Sequence, residues 1–133
     1  VIRGIGLDLA DIARFGKMVG AGNEAFVKQL LTDREMAVYA ALSGDRRRAE
    51  FLAGRFAAKE ALMKALGLDL PEGIGMRDIE VLPDRLGKPV LALSEGVRRQ
   101  IDYDYACSLS ITHTATTAGA VVVVEQRDRQ ARG

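Results

Sequence analysis

The chain has little of what most chemistry and many architectures need. Among its 133 residues there is one cysteine, one histidine and no tryptophan. A lone Cys107 cannot close an internal disulfide, so a reduced, cytoplasmic setting is the expectation. With one histidine and one cysteine, no zinc site of ordinary composition can be built. Aromatic residues make up only 5% of the chain, leaving few platforms for stacking bases, and a net charge of +1 excludes a broad polycationic surface. The run Arg46-Arg47-Arg48 is a local patch that an exposed helix start explains equally well, so no nucleic-acid partner is expected. No apolar segment approaches the roughly 20 residues of a membrane span, and the first residues carry no secretory pattern. No repeat, linker or low-complexity stretch divides the chain. With 48% hydrophobic residues, 133 positions suffice for one core, which predicts a single domain over residues 1–125 and a polar tail over 126–133.

What is present alternates between strand and helix signals. Val1 to Leu9 has period two, with Ile5, Leu7 and Leu9 on one side and Gly4, Gly6 and Asp8 on the other, the glycines clearing the surface beside Asp8. Ile12, Phe15 and Val19 mark a helix from about Asp11 that stops at Gly20 or Gly22 and presents Arg14, Lys17 and Met18 to a partner. Glu24 to Leu31 reads as a short helix, and Thr32-Asp33-Arg34-Glu35 is a capping box opening another to about Leu42. A long helix follows from about Arg46 to Leu66, ended by Gly67. Pro71 to Gly75 is loop. Asp78–Leu82 and Pro89–Leu93 pair as a hairpin about the turn 84–88. Ser94 caps an expected helix to Tyr103, and Ala106–Thr112 and Ala118–Glu125 are the last strands. The Val121–Val124 run predicts cover on both faces.

Chemistry concentrates in the long helix. In FLAGRFAAKEALMKALG (51–67), a step of about 100° per residue puts Glu60 and Lys64 on one face with Ala49, Ala53 and Ala57, and Arg55 and Lys59 on a neighbouring stripe with Arg48. Small alanines let another element or a ligand approach. A carboxylate beside an ammonium suits a magnesium-bridged phosphate, while the plain alternative is an i,i+4 ion pair on an amphipathic helix. Asp8 offers a second carboxylate or a helix cap. His113 continues the parity of Cys107, Leu109 and Ile111 and reads equally as a core histidine. Lys59 and Arg55, taken singly, read as solvated helix charges. Ser108 and Ser110 have no recognisable His and Asp partners, which sets a serine triad aside.

Four segments together, GIGLDLADIARF (4–15), FLAGRFAAKEALMKALG (51–67), MRDIEVLPDRLGKPVL (76–91) and SLSITHTATTAGAVVVVE (108–125), resemble the holo-acyl-carrier-protein synthases. These are the short bacterial 4′-phosphopantetheinyl transferases, and the resemblance runs from about Ile2 to Glu125. It implies an α+β fold with antiparallel strands packed on the long helix, assembled as a homotrimer with active sites at subunit interfaces. It implies Mg²⁺-dependent transfer of the 4′-phosphopantetheine arm of coenzyme A to a serine of apo-acyl-carrier protein, releasing adenosine 3′,5′-bisphosphate, for fatty-acid biosynthesis. By motif, Asp8 and Glu60 are the implied metal ligands, and Lys64 holds a pyrophosphate oxygen. Arg55, Lys59 and Gly67 are implied phosphate or helix-face neighbours. His113 and Thr114 line the coenzyme A site. For the proton of the carrier serine, the expected acceptor is a water held by the metal-site carboxylates, or Glu60 itself, with His113 as the competing base. Arg14, Lys17 and Met18 resemble the family's carrier-docking surface. Two departures stand out: Glu24 in a segment often basic in relatives, and Leu68-Asp69 where a small residue and another glycine commonly follow Gly67.

Overall fold

In the computed structural model, which describes residues 1–128, the element that organises the chain is the helix α4, Asp45–Leu66. Its alanines at 49, 53, 57, 58, 61 and 65 are almost fully buried, so strands and helices approach its backbone on several sides. Gly67 ends it with a left-handed φ of 61°, its N–H donating to Met63 O.

A three-stranded antiparallel sheet crosses α4 in the order β1 (Ile2–Asp11), β5 (Thr117–Gln126), β4 (Tyr105–His113). The alternation in β1 has the opposite use from a simple apolar-inside pattern. Gly4 and Gly6 face α4, and a Cβ at either would collide with the carbonyl oxygen of Ala65 or Ala61. The glycines thus seat the strand on the helix backbone, and the space they clear on their side of Asp8 is filled by α4. Ile5, Leu7 and Leu9 point outward and are each more than 60% exposed. Val121 and Val123 pair with Leu7 and Ile5 on that outer face and are half-buried, whereas Val122 and Val124 are buried against the helix. Only one of the two faces expected to be covered is covered within the protomer.

Helix α1 (Ile12–Gly20) follows β1 directly and lies along the first half of α4. Phe15, fully buried, packs its ring 6.0 Å from Phe26 and 5.4 Å from Phe56. Helices α2 (Glu24–Leu30) and α3 (Asp33–Ala40) come next, the latter opened by the expected capping box, with Thr32 Oγ1 accepting from Glu35 N and Glu35 Oε1 from Thr32 N. After α4 and a single 3₁₀ turn at Met76–Asp78, β2 (Ile79–Pro83) and β3 (Pro89–Leu93) form the separate hairpin. Its turn is held by Asp84, whose Oδ1 accepts from Leu86 N and Lys88 N.

The helix expected over 94–103 is far shorter. Ser94 caps it, but α5 covers only Glu95–Arg98, and Gln100 N and Ile101 N turn back to the carbonyls three residues earlier. The segment buries only Val97 and Ile101, too little apolar surface to carry ten helical residues. Of the polar tail, Gln126 is the last residue of β5, and residues 129–133 lie outside the described residues.

Candidate active site

Asp8 stays within β1, at the free edge of the sheet, and does not cap α1. The cap position belongs to Asp11, whose side chain makes no capping bond. The Asp8 carboxylate, only 16% exposed, accepts from Lys64 Nζ at 3.0 Å, and the same ammonium donates to Leu7 O at 3.1 Å. The lysine side chain is 56% exposed. Lys64 therefore bridges from α4 to the edge of β1 and does not form the i,i+4 pair with Glu60. Glu60, half-buried one turn earlier, has no ion-pair partner among the described residues. Ala61, next to it, is the residue whose carbonyl meets Gly6, so the glycine contact is what brings the acid of the helix to the strand carrying Asp8.

The alanine stripe is divided. Ala49, Ala53 and Ala57 are buried, with α1 lying over the stripe at Gly16 and Ala49, and only its continuation at Glu60 and Lys64 is open to a ligand. The small residues admit an element of the protein first, and the stripe is uncovered only past its end.

The neighbouring cation stripe corrects the sequence reading. Lys59, expected as a solvated charge or a phosphate contact, is fully buried. Its Nζ donates to Glu35 Oε1 at 2.6 Å, Leu30 O at 2.6 Å and Met76 O at 3.0 Å, so no donor remains for a phosphate. Burial pushes its pKa down and the Glu35 carboxylate pulls it back up. Arg55 is half-buried, stacked 4.2 Å over the Phe51 ring with Nε donating to Val81 O at 3.4 Å, and burial lowers its pKa. This stripe is the seam between α4, α3 and β2. A lysine among alanines reads as exposed only while its partner, distant in sequence, is unknown. Glu35 was legible as a capping residue alone.

His113 ends β4 and is 51% exposed, which overturns the core reading. It faces the helix side of the sheet, as its parity requires, but sits past the packed rows. Its Nδ1 lies 3.1 Å from Thr114 O and 3.9 Å from Glu50 Oε2. Glu50 accepts from Arg46 Nε at 2.8 Å, and Arg46 also reaches Ala115 O. Neither Arg46 nor Glu50 had been singled out for this end of the sheet, although their i,i+4 spacing puts them on one helix face. Thr114 folds the turn, its Oγ1 accepting from Thr116 N and Thr117 N.

These groups do not meet Asp8, Glu60 and Lys64 within one protomer. His113 pairs with Ala118, and Ala118 with Ala10, so the histidine lies two strands away from β1, about 10 Å across the sheet. Gly67 is one turn beyond Lys64. On α1, Arg14 and Lys17 are exposed, the Arg14 guanidinium 5.4 Å from the Phe15 ring and 5.3 Å from Phe56. Met18 is half-buried and lines a cleft of about 410 Å³ with Val27, Met36 and Tyr39.

Among the described residues no group of three or more His, Cys, Asp and Glu is gathered as a metal cluster. Two carboxylates with oxygen donors alone are a partial set for a hard cation, one that leaves positions for ligand oxygens and water. No helix among the described residues is long and apolar enough to cross a membrane.

A family model described as the 4′-phosphopantetheinyl transferase superfamily matches residues 4–121. The holo-(acyl-carrier-protein) synthase of Halalkalibacterium halodurans is 41% identical over 126 residues, spanning 95% of this chain and 98% of that protein. The crystal structure of a Bacillus anthracis holo-(acyl-carrier-protein) synthase in complex with CoA (3′,5′-ADP) superposes with a TM-score of 0.78 at 39% identity, covering 95% of this chain and 98% of that one. The Neisseria meningitidis enzyme superposes with a TM-score of 0.82 at 29% identity, covering 95% of this chain and all of the other. The chain belongs to the 4′-phosphopantetheinyl transferase superfamily, as an enzyme of the holo-acyl-carrier-protein synthase family.

Proposed function

We propose that this enzyme transfers the 4′-phosphopantetheine arm of coenzyme A to a serine hydroxyl of an apo-acyl-carrier protein, releasing adenosine 3′,5′-bisphosphate, in fatty-acid biosynthesis in the cytoplasm. The serine oxygen forms a bond to the phosphorus that carries the pantetheine arm. The bond from that phosphorus to the oxygen bridging to the adenosine phosphate breaks, and the leaving group keeps the electron pair. Such displacement needs positioning and charge neutralisation more than covalent help.

The observation that carries this reading is the edge where α4 meets β1. Lys64 presents a half-exposed ammonium beside the carboxylate of Asp8, and Glu60, without an ion-pair partner among the described residues, stands one turn away. Asp8 and Glu60 are hard oxygen donors and fit Mg²⁺, which when bound would neutralise pyrophosphate charge. Lys64 then holds a pyrophosphate oxygen and offsets charge on the departing adenosine bisphosphate. The serine proton passes to a water held by Glu60, with His113 as the competing acceptor.

The site is completed in a homotrimer. The outward face of Ile5, Leu7 and Leu9, continuous with Val121 and Val123, is an apolar sheet surface of the kind that a neighbouring copy buries. A neighbour's His113 and Thr114 would then line the coenzyme A site opened by Asp8, Glu60 and Lys64. The carrier docks on α1, where Arg14 and Lys17 steer an acidic partner and Met18 makes apolar contact.

Intact-mass spectrometry of an apo-carrier incubated with the enzyme, coenzyme A and Mg²⁺ tests the reading. The expected result is a gain of about 340 Da that EDTA abolishes. Absence of any gain with several carriers overturns it. Leu7→Glu should turn the trimer into an inactive monomer by light scattering, and a fully active monomer would refute the shared site.

A further inference from the structure

The Lys59–Glu35 pair is fully buried, and the proposed transfer makes no use of it. Besides the three bonds of Lys59 Nζ, Glu35 Oε1 accepts from Thr32 N at 2.8 Å and Glu35 Oε2 from Val81 N at 2.7 Å. The end of α2, the start of α3, α4, the 3₁₀ turn and β2 therefore all meet at one ion pair.

The bond to Met76 O reaches the connection between α4 and β2. That connection leaves the helix at Gly67 and is bonded back to it at Lys59, eight residues earlier or about 12 Å along the axis. Around the helix, Lys59, Met63 and Gly67 fall within an arc of about 80°. Glu60 and Lys64 follow at about 100° and 140°, and Ala61 and Ala65, which meet Gly6 and Gly4, at about 200° and 240°. The Glu60–Lys64 stripe thus has β1 on one flank and the two ends of the connection on the other. The β1 flank is locked by its ladder to β5 and by the glycine contacts. The other flank is mostly exposed from Gly67 to Gly73, and its bonds at Ile74 and Gly75 are local ones to Pro71 O and Asp78 Oδ2.

We infer that Lys59 and Glu35 are positioning residues for coenzyme A: by pinning Met76 to α4 they fix the flank opposite β1, between which the pyrophosphate end is held. The inference rests on the transfer reading above. Neither residue touches substrate.

Steady-state kinetics and hydrogen exchange on the trimeric enzyme test it. The double variant E35M/K59M fills the same space with apolar groups and removes the donor to Met76 O. It should stay folded, raise the KM for coenzyme A about tenfold, leave kcat within about threefold and leave the carrier KM unchanged. Exchange should quicken at the amides of 68–76 and remain slow in the second half of α4. A folded double variant with an unchanged KM for coenzyme A overturns the inference. A Gly-Gly insertion after Gly73 lengthens the flank while keeping the ion pair, and stands in if the double variant does not fold. It should give the same KM signature, and no change would equally overturn the inference. If the wild-type enzyme binds coenzyme A but transfers nothing, the transfer reading fails. The pinning is then judged by calorimetric affinity for coenzyme A, expected to fall in both variants and refuted if it does not.

Discussion

Two lysines five residues apart on α4 each pair with a carboxylate from another element, yet the two pairs do different work. Lys59 and Glu35 are fully buried, and every donor of the ammonium has a protein acceptor. Lys64 and Asp8 sit at the sheet edge, the lysine 56% exposed. Inside, neither charge can exchange its partner without leaving the other uncompensated, so the pair is committed to holding segments together. At the edge, water reaches the Lys64 ammonium, so that side of the pair remains accessible to a ligand while the Asp8 carboxylate, 16% exposed, stays largely shielded.

The contrast can be broken most forcibly at the buried seam. Lys59→Ala leaves the buried Glu35 carboxylate without its counter-charge and is expected to lower unfolding stability by about 3–5 kcal/mol, read from a urea or thermal melt. A loss under about 1 kcal/mol would mean that water reaches the pair. Gly6→Ala attacks the other side. Its methyl meets the Ala61 carbonyl, so β1 must lift from α4, at about 1–3 kcal/mol and with loss of transfer as Asp8 moves off Lys64. Unaltered stability and activity would show that the strand can shift freely. Lys64→Met sharpens the comparison by sparing the fold: stability should move by less than about 1 kcal/mol while transfer falls about tenfold or more. Equal damage to both would make the edge pair structural. The smallest effect concerns Cys107, which is half-buried, so that burial pushes its thiol pKa up. Iodoacetamide should alkylate it several-fold more slowly than free cysteine at pH 8, the difference narrowing as pH rises. A rate equal to free cysteine would place the thiol in open solvent.

Most elements were legible because their signals are local. The period-two run of β1, the Thr32–Glu35 capping box, the Gly67 stop and the Asp84–Lys88 turn each depend on neighbours a few residues away. The overlong helix after Ser94 shows where that fails, since a cap starts a helix but buried apolar surface must continue it. The inward turn of Lys59 and Arg55 was not legible, because their partners Glu35 and Val81 lie 24 and 26 residues away. The alternative core reading of His113 failed for a related reason. Parity gives the side of a sheet on which a residue lies but not whether the packed helix extends that far.

Residue types and spacing alone pointed to one core, to a long alanine-rich helix among strand and helix signals, and to Asp8, Glu60 and Lys64 as candidates for hard-ion and phosphate chemistry, while the α+β fold came from the family resemblance. Tertiary structure decided which cation of that helix is free to meet a ligand and which is locked away. It also decided that the aliphatic side of β1 faces outward and that His113 stands two strands from Asp8. Periodicity specifies a direction around a helix or strand, whereas burial depends on what the rest of the chain brings to that direction.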